Sequence, residues 1–176
     1  MSKKNVKISC YLAIALFLLM QLLNIGISTA VSYSVSLAIL LDIAYDRYFW
    51  RFNPLEKTPR LFGVYDEINH SNYNGGYDYE ATATIRQTLS SITIFEETKN
   101  SGYAESVTAA LLRSSEDGMW KLYYTYRTSP SIAQYDDMHE GTVILCVKNK
   151  NELVGRYFTN RTNPTLGDTK LTKRYK

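Results

Sequence analysis

The chain has 176 residues, 45% of them hydrophobic, and a formal net charge of +3 from 20 Lys/Arg against 17 Asp/Glu. The excess is N-terminal: residues 1–52 hold five basic residues (Lys3, Lys4, Lys7, Arg47, Arg51) against Asp42 and Asp46, whereas residues 53–176 hold 15 of each sign. A neutral polar part excludes a general duplex-DNA binder, which needs a basic face to displace counterions, but leaves room for a small anionic ligand held by one or two arginines.

The first element is an uncharged run of 34 residues, Ile8 to Leu41. One membrane-spanning helix needs about 20 residues for a hydrocarbon core of about 30 Å. The run is too long for one crossing, and suits two if the second borrows the aromatic residues that follow. We read spans over about 8–25 and 27–45, with the turn at Asn24 and Gly26, and Tyr45, Tyr48, Phe49 and Trp50 as an interfacial belt. Positive residues flank both outer ends (Lys3, Lys4, Lys7; Arg47, Arg51, Lys57, Arg60) and none lies in the turn. By the positive-inside rule both termini are then cytoplasmic.

Lys3-Lys4, an apolar stretch and Ser28-Thr29-Ala30 also resemble a cleavable secretory signal. Against that, Val31 to Ala44 stays apolar after the supposed cut. The second span carries two rows of small residues, Ser28-Ser32-Ser36 and Ala30-Ser34-Ala38, at four-residue spacing. Such rows let helix backbones approach closely, within the hairpin or between chains.

Residues 53–60, NPLEKTPR, form a linker with two prolines. From Leu61 the pattern has period two, predicting strands near 60–68, 77–87, 90–98, 102–113, 119–128, 140–148, 151–159 and 165–175. Asn74-Gly75-Gly76, Asn100-Ser101-Gly102, Glu116-Asp117-Gly118 and Asn149-Lys150-Asn151 are the turn signals. Residues 129–139 are the one long irregular stretch, where a short helix is expected. Residues 61–176 therefore read as an all-β domain: an up-and-down, about eight-stranded antiparallel barrel of lipocalin-like architecture, with a sandwich as the alternative. Eight strands enclose a space that side chains fill, or that holds one small ligand.

No catalytic motif stands out. His70 and His139, the two histidines, lack metal-ligand spacing to a partner. G-x-S-x-G, H-E-x-x-H and phosphate-cradling glycine loops are missing. The acidic pairs Glu96-Glu97 and Asp136-Asp137 are expected to be solvated. Neither an enzyme nor a cofactor is expected. Cys10 in the apolar run and Cys146 in a strand form no disulfide framework, which suits a reducing compartment.

A basic leader, two tight spans, YDRYFWRFNP and a β-rich domain carrying FGVY, IRQTLSSITIF and LVGRYFTNRTNPTLGD make up the whole chain. This arrangement resembles the two-transmembrane, β-strand-rich effectors of the bacterial cyclic-oligonucleotide anti-phage systems (CBASS). The more specific piece is the spacing of Gly155, Tyr157, Thr159, Arg161 and Gly167. The resemblance implies that the barrel binds a cyclic nucleotide made by a cGAS-like cyclase. The protein then self-associates through its spans and disrupts the inner membrane, which aborts infection. For the ligand, Tyr77 and Tyr79, or Tyr124 and Tyr126, are candidates to stack on a base. Arg86, Arg127 or Arg161 would pair with a phosphate, and Thr84, Gln87 and Thr159 would bond sugar or base edges. These tyrosines are otherwise ordinary strand formers. Two further readings stay open: an exported adhesion module whose leader is removed, and a membrane anchor that recruits a protein through a filled barrel.

Overall fold

The structure, a computed structural model, describes residues 3–72, 76–98, 102–129 and 139–175, and only the backbone of residues 3–8. Two compact units emerge, Met1–Thr58 with Thr88–Ser90, and Pro59–Gln87 with Ser91–Lys176.

The first unit is built on two α-helices, α1 (Lys3–Leu22) and α2 (Ile27–Arg47). Asn24 takes a left-handed backbone (φ 56°) in the connection between them, a conformation that asparagine tolerates better than most residues. α1 and α2 pack against each other. On α1 the half-buried residues Leu12, Ala13, Leu16, Phe17 and Met20 recur at helical spacing, while Tyr11, Ile14, Leu18 and Leu19 are exposed. On α2 the buried residues are Ala30, Ser34 and Ala38, so the second small-residue row is the one the hairpin consumes. Ser28, Ser32 and Ser36 are exposed. α2 is long and apolar enough to cross a membrane; the apolar part of α1, Ser9–Leu22, is shorter than that. After α2 a single 3₁₀ turn, Phe49–Phe52, follows. It separates the expected aromatic belt: Tyr48 and Phe49 are exposed and Tyr45 is half-buried, whereas Trp50 is completely buried.

The second unit is a closed antiparallel barrel whose eight strands pair in chain order, β1 to β8 and back to β1, which sets aside the sandwich. They are β1 (Gly63–Ser71), β2 (Tyr77–Gln87), β3 (Ile92–Thr98), β4 (Gly102–Arg113), β5 (Trp120–Ser129), β6 (Glu140–Asn149), β7 (Glu152–Thr159) and β8 (Leu166–Lys173). The first strand starts three residues later than the sequence suggested, because Leu61 enters the core ahead of any strand pairing. Turns at Glu116-Asp117-Gly118 and Asn149-Lys150-Asn151 form as expected, each closed by an Asx bond: Met119 N–H to Asp117 Oδ1 (2.9 Å) and Asn151 N–H to Asn149 Oδ1 (2.8 Å). The signals Asn74-Gly75-Gly76 and Asn100-Ser101-Gly102, and the short helix expected in 129–139, fall wholly or largely outside the described residues.

Closure leaves no sheet edge to template aggregation, and strand alternation then divides inside from outside. Cross-strand pairs such as Arg127–Glu140, Arg156–Asp168 and His70–Asp78 decorate the outside. The pairing of β4 with β5 slips between Ser106 and Thr108, a bulge at Val107. On the other side of β4 the Ser106 hydroxyl accepts the β3 N–H of Ile94 (2.9 Å), one residue past the last β3–β4 pair, Phe95 with Glu105.

Candidate functional site

The barrel interior is graded along its axis. At the end where β1 begins, Leu61, Ile85, Ile92, Ile94, Leu122, Leu145, Leu153 and Leu171 are buried together with Tyr65. The Tyr65 hydroxyl donates to the Leu61 carbonyl (2.7 Å), and burial pushes its pKa up to about 12, with Tyr175 adding to the shift. Apolar burial at roughly 25 cal/mol per Å² accounts for holding this end shut.

Towards the opposite end the inward positions turn polar. β1 contributes Glu67, Asn69 and Ser71, β3 contributes Glu96, and β8 contributes Thr169; β2, β5 and β7 contribute Tyr79, Tyr124, Tyr126 and Tyr157. Glu67 is 3% exposed, and its Oε1 accepts the Thr169 hydroxyl (3.1 Å). Its Oε2 is buried with no hydrogen-bond partner among the described residues. The Glu96 Oε1 accepts the Tyr124 hydroxyl at 2.5 Å. Burial raises both carboxyl pKa values. The Glu67 charge pushes Glu96 further, well above the ordinary range, while the Asn69 and Thr169 side chains pull Glu67 partly back. Two carboxylates this close in a dry interior do not both ionise at neutral pH. Of the two, Glu96 is held the more strongly toward its protonated form. The tyrosines respond in the same sense: burial first, then Tyr157 and Glu67 for Tyr79, and the two carboxyls with neighbouring phenols for Tyr124 and Tyr126, raise all three.

Local sequence explains how the rings are placed. Gly141 lies directly opposite Tyr126, and Gly167 directly opposite Tyr157. A Cβ at either glycine would run into the facing tyrosine ring, so each ring lies against bare backbone. His139 meets Tyr126 edge-on (centroids 6.3 Å apart), and its Nε2 is 3.4 Å from Arg161 Nη2. Arg161 thus stands beyond the last residue of β7 at the polar end, close enough to Tyr126 for its charge to counter the rise in that phenol's pKa.

The residues singled out in the sequence separate by face. Tyr79, Tyr124, Tyr126 and Tyr157 gather in the polar half of the interior. Tyr77 shares their side of β2 but is exposed, its ring 5.7 Å from that of Tyr79. Gln87 points inward at the apolar end, where its Oε1 accepts Leu61 N–H (2.7 Å) and its Nε2 donates to Pro59 O (2.8 Å); it holds the incoming chain. Thr159 closes the β7–β8 connection, its Oγ1 2.9 Å from Thr165 Oγ1 and accepting Thr165 N–H (3.1 Å). Thr84 and Arg86 lie on the outer side of β2. Arg127 is also on the outside, bonded through Nη2 to Glu140 at 2.7 Å. The expectation that Glu96 is solvated is corrected: it shares a face with buried Ile92 and Ile94, and only Glu97 points out.

Sequence reasoning missed Glu67, Asn69 and Thr169 altogether. A signal was there. In GVYDEINHS the alternation Tyr65, Glu67, Asn69, Ser71 against Asp66, Ile68, His70 puts the polar set on the face that Tyr65 shares with the core.

Fold and interior together define a small closed β-barrel with a polar, tyrosine-lined half, preceded by an apolar helical hairpin. The family model of the Cap15 cyclic dinucleotide receptor domain matches residues 56–173. The chain belongs to this family, the CBASS effectors that its sequence resembles. It is also similar to the CD-NTase-associated protein 15 of Staphylococcus schleiferi, 29% identical over 178 residues that span 96% of this chain and 94% of that protein. The family is one of receptors and effectors rather than of known catalysts.

Proposed function

We propose that the chain is a ligand-gated membrane effector of CBASS. The barrel, residues 61–176, binds a cyclic nucleotide made by a cGAS-like cyclase and holds it, lipocalin-fashion, in its polar half. The hairpin, residues 1–52, crosses the inner membrane twice with both termini in the cytoplasm, and residues 53–60 link the two. Bound ligand promotes self-association through the exposed Ser28-Ser32-Ser36 row, and the assembled spans disrupt the bilayer and abort infection. No catalysis or cofactor is needed; the cyclic nucleotide is the activating ligand.

The observation that carries this reading is a polar, aromatic interior in a barrel otherwise built around leucine and isoleucine. A filled structural barrel gains nothing from a buried carboxylate with an unpaired oxygen, which costs about 1–3 kcal/mol or more. A ligand that supplies the missing donor recovers it. In the test, the full-length chain is reconstituted into anionic liposomes loaded with a self-quenched dye and exposed to a panel of cyclic di- and trinucleotides. At least one should raise the melting temperature and release dye. Dye release without any ligand, or no response to the whole panel, rejects the gating.

A further inference from the structure

Among the described residues inside the barrel, Glu67 is a buried carboxylate with unused bonding capacity. Its Oε2 is buried and makes no close hydrogen bond among the described residues, although the Asn69 amide is near enough to favour the charged form; Oε1 has accepted one hydrogen bond, from Thr169, and keeps a second lone pair. An ionised carboxylate is acceptor-only, so whatever completes it must present N–H or O–H donors. Next to it stand the rings of Tyr79, Tyr124, Tyr126 and Tyr157, suited to a planar partner. Among the described residues, a cationic side chain beside Tyr126 is Arg161, at the rim next to His139. That arrangement orients a nucleotide with its phosphate outward and its base directed to the carboxylate.

Bases differ in what they offer there. Guanine has two adjacent donors on its Watson–Crick edge, N1–H and the N2 amino group, spaced for the two oxygens of one carboxylate. Adenine offers an acceptor beside its amino group, and uracil offers one N–H between two carbonyls. We propose that Glu67 reads the Watson–Crick edge of guanine, so that the barrel selects cyclic dinucleotides carrying at least one guanine. Glu67 is the more readily ionised of the two buried carboxyls, because Asn69 and Thr169 favour its charged form while the Glu67 charge pushes Glu96 further up. Each bond that its ionised form makes is charge-assisted. This inference rests on the receptor reading above.

The experiment uses the full-length chain in detergent and isothermal titration at one fixed salt concentration. The probes are cyclic di-GMP, cyclic GMP–AMP, cyclic di-AMP, cyclic di-UMP, and a cyclic GMP–AMP analogue whose guanine is replaced by hypoxanthine, which lacks the N2 amino group. Guanine-containing ligands should bind, the hypoxanthine analogue should be about tenfold weaker, and the adenine-only and uracil-only ligands weaker still. Glu67→Gln keeps the side-chain volume and the Thr169 bond but puts a donor where guanine needs an acceptor. It should weaken the guanine ligands about ten- to a hundredfold. The proposal is overturned by cyclic di-AMP or cyclic di-UMP binding as tightly as the guanine ligands. Equal affinity for the hypoxanthine analogue, or an unchanged affinity in Glu67→Gln, overturns it too. The analogue comparison needs only the wild-type protein, so a variant that fails to fold does not remove the test. Should no cyclic dinucleotide bind at all, this inference and the receptor reading fall together; binding without guanine dependence removes only this inference.

Discussion

Glu96 shows how much a single inward residue decides. Its carboxyl is desolvated, faces the Glu67 charge and accepts from Tyr124, and its pKa stands well above the usual 4.5. A carboxyl whose folded value exceeds its unfolded one binds more protons when folded. Its contribution to stability is complete below the unfolded value and is lost as pH rises through the folded one. Glu67 shifts in the same direction. The unliganded barrel should therefore become less stable as pH is raised from about 5 to about 8. In that window the Asp66 and Asp117 carboxyls, held low by Arg174 and by the Met119 N–H respectively, stay ionised in both states and add no slope. Tyr65, raised to about 12, titrates above it. Chemical denaturation followed by the near-ultraviolet signal of the tyrosines should show this fall, and Glu96→Gln should flatten it. A wild-type stability that climbs between pH 5 and 8 would contradict the shared-proton pair. The tyrosine half of this site was legible in the sequence because aromatic residues in period two mark a face. The carboxylates were not, because an acid is assigned to solvent unless its strand partners are consulted, and Glu96 is fixed inside by Ile92 and Ile94 rather than by its own polarity.

At the level of elements, the strand pattern was legible almost throughout, since eight runs with period two and short turns leave little freedom in chain-order pairing. Tertiary constraints set the rest. Closure into a barrel depends on β8 meeting β1, from Tyr65 opposite Lys173 to Ser71 opposite Gly167, and no local signal announces that pairing. The glycines of the motif likewise reveal their role only in register: Gly155 pairs with Leu145 of β6, and the adjacent Ile144 carbonyl leaves no room for a Cβ. In the hairpin the two small-residue rows were visible but equivalent, and only the packing of α1 on α2 separates them. That separation is testable. Ala30→Leu inserts bulk into the buried row and should open the hairpin, at about 1–3 kcal/mol for overpacking. Ser32→Leu, on the exposed row, should leave the hairpin packed and block association between chains. Cross-linking of the two variants in liposomes, beside a protease-protection measure of hairpin integrity, distinguishes them. Equal behaviour of the two variants would remove the assignment of the rows.

For the whole molecule, gating is a statement about two equilibria, and linkage ties their magnitudes together. If ligand binding in the barrel favours association of the spans by some factor, association must favour ligand binding by the same factor. A coupling typical of such systems, about 1–3 kcal/mol, corresponds to roughly 5- to 150-fold. Ser32→Leu changes the hairpin and leaves the barrel's own residues unaltered, so a purely local receptor would bind ligand with unchanged affinity in that variant. A coupled effector would not. Confined to non-associating chains, its apparent affinity should fall by the coupling factor, and its binding curve should lose the steepness that assembly gives the wild type. Titrating both proteins in liposomes with the best cyclic dinucleotide, and reading bound ligand and released dye together, measures that factor from both sides. Identical binding curves with dye release abolished would mean that the hairpin acts downstream without feeding back, and that the energy for disrupting the bilayer comes from the spans alone. Displaced curves with the same factor in binding and in assembly would mean that the barrel's ligand drives it.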